Sequence, residues 1–128
     1  MQPYTITLEC EFSEFWRYNL LVQGEVTRQQ ERCDVIKHVD IVAPVGSELH
    51  SMPADYNRGE SLVFHTAAGD ALRLYIYILP HTLPRTNSVE GVDPFEFRVI
   101  INHNGEQLFK RRYEVDQWSG SHIEVCPQ

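Results

Sequence analysis

Alternation of apolar and polar side chains near the start of the chain most constrains its fold. From residue 4 to residue 12 every second side chain is apolar, and the ones between are threonine or glutamate. A period of two places the apolar set on one face of a strand and the polar set in water. The same alternation returns in residues 72–78 and 95–101. Strands that are buried on one face predict an antiparallel β domain.

The rest of the chain adds enough short strands for two sheets. Further strands are predicted at residues 16–22, 33–45, 62–66, 107–115 and 122–126. No segment has the period of a long helix, so the seven or eight strands favour an all-β, antiparallel two-sheet β-sandwich over a closed barrel. Residues 47–60 and 80–94 have no period and contain many turn formers, and we expect two long loops there.

Length and composition fit one globular sandwich domain, residues 1–128. A chain of this size buries about two-thirds of its unfolded surface, so it needs neither a metal nor a disulfide to fold. The composition is 42% hydrophobic and 23% charged, which is ordinary for a globular protein and excludes a disordered one.

Two other segments have local signals that bear on strand pairing. Residues 67–70 (Ala-Ala-Gly-Asp) separate two predicted strands and predict a hairpin. In residues 33–45 the alternation slips around Lys37 and His38. A slip of this kind predicts either a bulge at that point or a strand buried on both faces.

The turn at residues 102–105 (Asn-His-Asn-Gly) allows a prediction of register. A two-residue loop would pair Val99 with Lys110 and set an apolar face against a charged one. A three-residue loop, residues 103–105, pairs Val99 with Phe109, and both faces then agree. We therefore predict the three-residue loop. It places Arg111 on the apolar face, where it requires a carboxylate, an aromatic ring or the sheet edge.

Charge and hydropathy argue against nucleic acid and membrane as partners. The net charge of −7 opposes contact with DNA, RNA or anionic lipid. The basic run of residues 110–112 is followed by Glu114 and Asp116, and we expect a solvated strand edge. No apolar stretch approaches the ~18–20 residues that span a bilayer, and the N-terminus lacks a signal-peptide pattern. We expect a cytoplasmic protein, or one from which a secretion signal has been removed, with no transmembrane segment and no nucleic-acid partner.

No metal, cofactor or catalytic site is predicted. The six histidines do not have the spacing of a zinc site, and the three cysteines are too far apart for a metal knuckle or a redox pair. Cys33 and His38 would lie on opposite faces of a strand, which opposes nucleophilic catalysis. Cys10 lies on the apolar side of the first strand, where we expect a small buried hydrophobe. Phosphate-loop and dinucleotide glycine patterns are absent from the sequence.

Aromatic side chains supply the candidate binding residues. Arg73, Tyr75 and Tyr77 are predicted to share one face of a strand. The other face of that strand, with Leu74, Ile76 and Ile78, is predicted to be core. Amphipathic rings of this type are enriched in protein interfaces and sugar-binding platforms. The alternative is that the tyrosines are half covered by neighbouring strands. His81, in a segment with two spaced prolines, and Trp118, in a predicted turn, complete the set.

Three functions are compatible with this pattern. We rank first a non-catalytic binding or adaptor domain that engages a protein partner, or itself, through a sheet face or edge. The second is a carbohydrate- or calcium-dependent ligand-binding module that uses the loops at 47–60 and 80–94. Asp55, Asn57 and Glu60 offer oxygen ligands there, although Arg58 opposes a cation. An enzyme of unknown class ranks third.

Overall fold

Eight β-strands make up most of the part of the chain that the structure, a computed structural model, describes: residues 2–49, 51–81 and 94–127. The strands are β1 (Gln2–Glu9), β2 (Tyr18–Arg28), β3 (Glu31–Asp40), β4 (Ser61–Gly69), β5 (Ala71–Pro80), β6 (Phe95–His103), β7 (Glu106–Val115) and β8 (Ser121–Val125). A single 3-10 turn, Phe15–Arg17, precedes β2. None of the described segments is a helix long and apolar enough to cross a membrane.

The strands form two antiparallel four-stranded sheets that pack face to face. The strand order is β4-β1-β6-β7 in the first sheet and β3-β2-β5-β8 in the second. The alternating apolar side chains of both sheets fill the space between them, and burial of each large one stabilises the fold by roughly 1.5–3 kcal/mol. Cys10 is buried with them, as predicted. The prediction of an antiparallel two-sheet sandwich is confirmed.

The connection between β4 and β5 crosses from one sheet to the other, so the predicted hairpin at residues 67–70 is wrong. β4 pairs with β1, whereas β5 pairs with β2. The crossing is tight, because the Asp70 N–H donates to the Thr27 carbonyl at 2.9 Å. A Cβ on Gly69 would lie 2.8 Å from the same carbonyl oxygen. The glycine therefore allows two sheets to approach, a role that local sequence does not distinguish from a turn.

The hairpin between β6 and β7 has a two-residue loop, so the predicted three-residue loop is wrong. Asn104 and Gly105 form the loop, with left-handed φ angles of 57° and 74°, and His103 pairs with Glu106. These φ angles are those of the tight hairpin turn that an Asn-Gly pair favours. The local turn signal therefore decides the loop length.

A bulge next to this turn restores the agreement of the apolar faces. Leu108 is the extra residue, because Gln107 pairs with Asn102 and Phe109 pairs with Ile101. Val99 consequently faces Arg111, and neither Phe109 nor Lys110. Arg111 lies on the core-facing side of an edge strand, with its guanidinium carbon 5.1 Å from the Tyr113 ring centroid. The prediction that Arg111 requires an aromatic ring or the sheet edge is confirmed.

Three buried polar side chains hold the loops at one end of the second sheet. The Asn19 Nδ2–H donates to the Ala43 carbonyl at 2.8 Å. Arg58 donates to the Asp40 carboxylate and, at 2.8 Å, to the Tyr18 carbonyl. We call Asn19, Arg58 and His81, described below, the polar anchors. They keep the irregular segment after β3 against the sandwich.

The outer face of the first sheet carries charges that pair with one another. Arg98 on β6 lies 3.3 Å from a Glu9 oxygen, 3.3 Å from Glu11 and 3.1 Å from Glu96. Arg112 on β7 lies 3.4 Å from Glu96. We call these five residues the ion-paired face.

Candidate functional site

The outer face of the second sheet gathers the predicted binding residues of β5 with side chains from three other strands. Strand pairing arranges these side chains in rows across the sheet. The apolar row is Val39, Leu21, Tyr77 and His122. The middle row is Lys37, Gln23, Tyr75 and Glu124. The third row is Val35, Glu25 and Arg73. We call these eleven residues the candidate face.

Alternation along each strand directs these side chains away from the core. Leu74, Ile76 and Ile78 on β5 are completely buried, as predicted, so the residues between them point outward. Tyr75 and Tyr77 are half-buried and Arg73 is exposed. The two rings are therefore partly covered by neighbouring strands while one side of each remains in contact with solvent.

The edge strand β3 differs from its prediction in a way that matters for this face. The irregularity lies at Cys33, since Asp34 pairs with Val26 and Arg32 pairs with Thr27. The expected bulge at Lys37 and His38, and the alternative of a strand buried on both faces, are both wrong. Because β3 is an edge strand, Val35 and Val39 are 57% and 52% exposed.

The apolar row runs from one edge of the sheet to the other. The Tyr77 ring stacks on the His122 imidazole, with 4.7 Å between centroids and 2° between planes. Leu21 pairs with both Tyr77 and Val39. Stacked rings beside aliphatic side chains form a contact surface that loses little side-chain entropy on binding.

A depression of about 370 Å³ lies over the other two rows. Its lining includes Glu25, Lys37, Arg73 and Tyr75. A smaller depression of about 120 Å³ shares Glu25 and Arg73 and extends to Cys126. The aromatic ring and the aliphatic parts of the long side chains offer apolar contact here, and the charged ends offer specificity.

The charges of the candidate face have no ion-pair partners within the described residues. Lys37, Arg73, Glu25 and Glu124 form no ion pair within 4.0 Å in residues 2–49, 51–81 and 94–127. Tyr75, followed by Cys126, raises the pKa of Arg73 above its already high ordinary value, and the guanidinium of an arginine is charged at neutral pH in any case. These four groups are available to pair with charges on another molecule.

His81 lies away from the candidate face and is 2% exposed. Its Nε2–H donates to the Trp16 carbonyl at 2.7 Å, and its Nδ1 lies 2.9 Å from Ser47 Oγ. Burial lowers the pKa of His81 and favours the neutral ring. Contact with a macromolecular partner would require this end of the sandwich to open, so the structure supports an anchoring role.

Trp118 also lies apart from the other predicted residues, in the turn between β7 and β8. Its backbone N–H donates to Asp116 Oδ1 at 2.7 Å, and the residue is half-buried. The indole Nε1 is buried without a hydrogen-bond partner among the described residues. The structure therefore brings together Arg73, Tyr75 and Tyr77 and separates them from His81 and Trp118.

The loop at 47–60 is organised around an arginine. The Arg58 guanidinium is buried, donates to the Phe15 carbonyl at 3.2 Å and lies 4.7 Å from the centroid of the Phe15 ring. Asp55, Asn57 and Glu60 are exposed. Within the described residues, no three histidine, cysteine or acidic side chains are grouped to hold a metal. Most of the other predicted loop, residues 82–93, lies outside the described residues.

Eight residues of the candidate face were not singled out by sequence reasoning: Leu21, Gln23, Glu25, Val35, Lys37, Val39, His122 and Glu124. Each alternates with core residues along its own strand, which is a signal that sequence carries. Their juxtaposition depends on the strand order β3-β2-β5-β8, which joins segments distant in the chain.

The chain was compared with protein-family models, with curated proteins and with solved structures, and none of the three comparisons found a match.

Proposed function

We propose that this protein is a non-catalytic binding domain that engages another protein molecule through the candidate face. The observation that carries the proposal is the apolar row beside charges that have no ion-pair partner in the described residues. Protein interfaces combine an apolar, aromatic centre with polar groups that are satisfied only in the complex. Tyrosine and arginine, both present here, are the residues that most often dominate binding energy.

The face is better suited to a partner than three of the four sheet edges, β4, β7 and β8, are. On β4 the Ala67 N–H already donates a hydrogen bond to the Asp34 carboxylate, at 2.8 Å. β7 carries the charged run of residues 110–112, and β8 has five residues. Charged, short and covered edges oppose the addition of a strand from another chain.

The depression of about 370 Å³ on the candidate face also favours binding over catalysis. Its described lining has one carboxylate, Glu25, and contains no histidine, cysteine or serine. A nucleophile within reach of a general base is therefore not assembled there from the lining residues. Recognition of a surface, rather than turnover of a small molecule, fits the shallow shape.

A double substitution tests the proposal. Tyr75→Ala with Tyr77→Ala should weaken partner binding or self-association by at least ~2 kcal/mol, or roughly 30-fold, because both rings leave the contact surface. Affinity capture from the native cell with quantitative mass spectrometry identifies the partner. Titration calorimetry with the purified partner then measures the loss.

The matched control is Thr7→Ala with Ile100→Ala, which removes two half-buried side chains from the outer side of the first sheet. It should leave binding unchanged. Circular dichroism and thermal unfolding check that both variants fold. Retention of full binding by the tyrosine variant would refute the proposal, as would loss of the fold when the two rings are removed.

A further inference from the structure

We infer that the candidate face binds a second copy of this chain, packed face to face about a two-fold axis that runs parallel to the strands between β2 and β5. The inference rests on the proposed function, because it uses the same surface and names its partner. The order of the charges across the four strands carries it.

A two-fold axis in this direction places each row of one copy opposite the same row of the second copy. The order of the strands along the row is reversed in the second copy. β3 then faces β8 of the second copy, and β2 faces β5. In the middle row, Lys37 faces Glu124 of the second copy, and this contact occurs twice. In the third row, Glu25 faces Arg73 of the second copy, again twice. All four charges of the face thus meet an opposite charge.

The uncharged residues match under the same operation. Leu21 faces Tyr77 of the second copy, and Val39 faces His122, so the aliphatic half of the apolar row covers the stacked rings. In the middle row Gln23 faces Tyr75, where an amide can bond to the phenol hydroxyl. The arrangement therefore pairs apolar with apolar and polar with polar groups along both complete rows.

The other two-fold axis in the plane of the face gives the opposite result. An axis perpendicular to the strands that passes through the middle row keeps each strand against itself, so Lys37 meets Lys37 and Glu124 meets Glu124. Like charges that face each other at close range destabilise a contact. Of these two arrangements, charge order therefore selects the axis parallel to the strands.

The size of the face predicts a reversible dimer. Three strands about 33 Å long and the five-residue β8 of about 17 Å, spaced about 4.8 Å apart, present on the order of 550 Å² per copy. The total of about 1,100 Å² is typical of weak, reversible interfaces. We expect a dissociation constant in the micromolar range, on the order of 1–100 μM, and weaker binding at high salt.

Reciprocal charge reversal tests the inference. Lys37→Glu and Glu124→Lys should each weaken the dimer at least about tenfold, because each creates two repulsive contacts. The double variant, Lys37→Glu with Glu124→Lys, should restore the dissociation constant to within about threefold of the unchanged protein. Sedimentation equilibrium over about 1 μM to 1 mM, with a monomer mass of 14.9 kDa, gives these constants.

Two features make the rescue specific to the interface. Lys37 and Glu124 lie on the two edge strands, about 14 Å apart, so screening removes most of their interaction within one chain. The single reversals also move net charge in opposite directions. If overall repulsion alone controlled association, Glu124→Lys would strengthen the dimer of this acidic chain, whereas the proposed contact predicts weakening.

Lys110→Glu on the outer side of the first sheet is the matched control and should leave the dimer unchanged. A protein that stays monomeric up to about 1 mM, or a double variant no better than the singles, overturns the inference. If the protein is monomeric but the tyrosine variant loses a captured partner, only the second-copy assignment fails. If the tyrosine variant keeps every interaction, the proposed function fails as well.

Discussion

The ion-paired face and the candidate face have similar numbers of charges but satisfy them differently. Arg98 on the first sheet is surrounded by three carboxylates of its own chain. Lys37 and Arg73 on the second sheet have no ion-pair partner within the described residues. Charges that are paired within one chain are an ordinary solvated surface. Unpaired charges that flank an apolar row are the basis of our proposal that another molecule binds the candidate face.

The comparison also teaches that the size of a depression does not identify a binding site. The outer side of the first sheet has the larger depression, about 610 Å³, compared with about 370 Å³ on the candidate face. Four basic side chains and Glu9 line it. Because Arg98 is already neutralised, an anion there must compete with the carboxylates of the chain itself.

The largest expected effect is on stability, at the anchor that holds the end of β3 beside the candidate face. Arg58→Leu should lower the free energy of unfolding by about 3–5 kcal/mol, because the Asp40 carboxylate and two backbone carbonyls lose a buried donor. Arg112→Leu on the first sheet, whose side chain is 74% exposed, should change it by less than about 0.5 kcal/mol. Urea unfolding measures both. Equal losses of unfolding free energy would mean that Arg58 stabilises the fold no more than an exposed arginine of the first sheet does.

A smaller effect is expected at the histidine anchor, and it depends on pH. His81→Phe leaves the Trp16 carbonyl without its donor and should cost about 1–3 kcal/mol near pH 7.5. The pKa of His81 is lowered in the folded state, so its contribution is complete above the ordinary histidine value of about 6.5 and is lost as pH falls below it.

Unfolding measured between about pH 7.5 and 5.5 separates these two effects. The unchanged protein should lose more stability over this range than His81→Phe, in which position 81 no longer titrates. Parallel pH profiles for the two proteins would show that His81 does not prefer its neutral form in the fold.

The smallest effect compares one charge from each face directly. Arg98→Gln should cost about 1 kcal/mol, because three carboxylates lose their shared cation, and the loss should shrink at about 1 M salt. Lys37→Gln should change monomer stability by less than about 0.3 kcal/mol, since no described carboxylate pairs with it. Urea unfolding at low protein concentration provides the measurement. If the two substitutions have the same effect, the distinction between the faces is lost.

Much of the fold was predictable, and the misses have one cause. Alternation and β-branched composition located all eight strands, although β3 ends at Asp40 and not at the predicted residue 45. Alternation also predicted the buried side of β5. It did not reveal that β4 and β5 belong to different sheets, because the four residues between them would also suit a hairpin. The two strands that flank residues 102–105 do match their apolar faces, as expected. A bulge at Leu108 allows this match together with a two-residue turn. Bulges and crossings depend on neighbours that local sequence does not specify.

The candidate site was predictable only in part. Arg73, Tyr75 and Tyr77 lie on one outer face because of the two-residue period of a strand. His81 stands at the start of a segment whose composition predicts a surface loop, yet its side chain is buried and contacts Trp16 and Ser47. The role of such a residue depends on which backbone groups come within hydrogen-bonding distance after folding.

The sequence by itself determined which side of each strand faces the core, because alternation of side chains is a local property of extended backbone. Only the tertiary structure decided that Tyr77 stacks on His122 and that Lys37 and Glu124 stand at opposite ends of one row. Strand order is set by packing between segments that are far apart in the chain. The surface that we propose for partner binding is a product of that order.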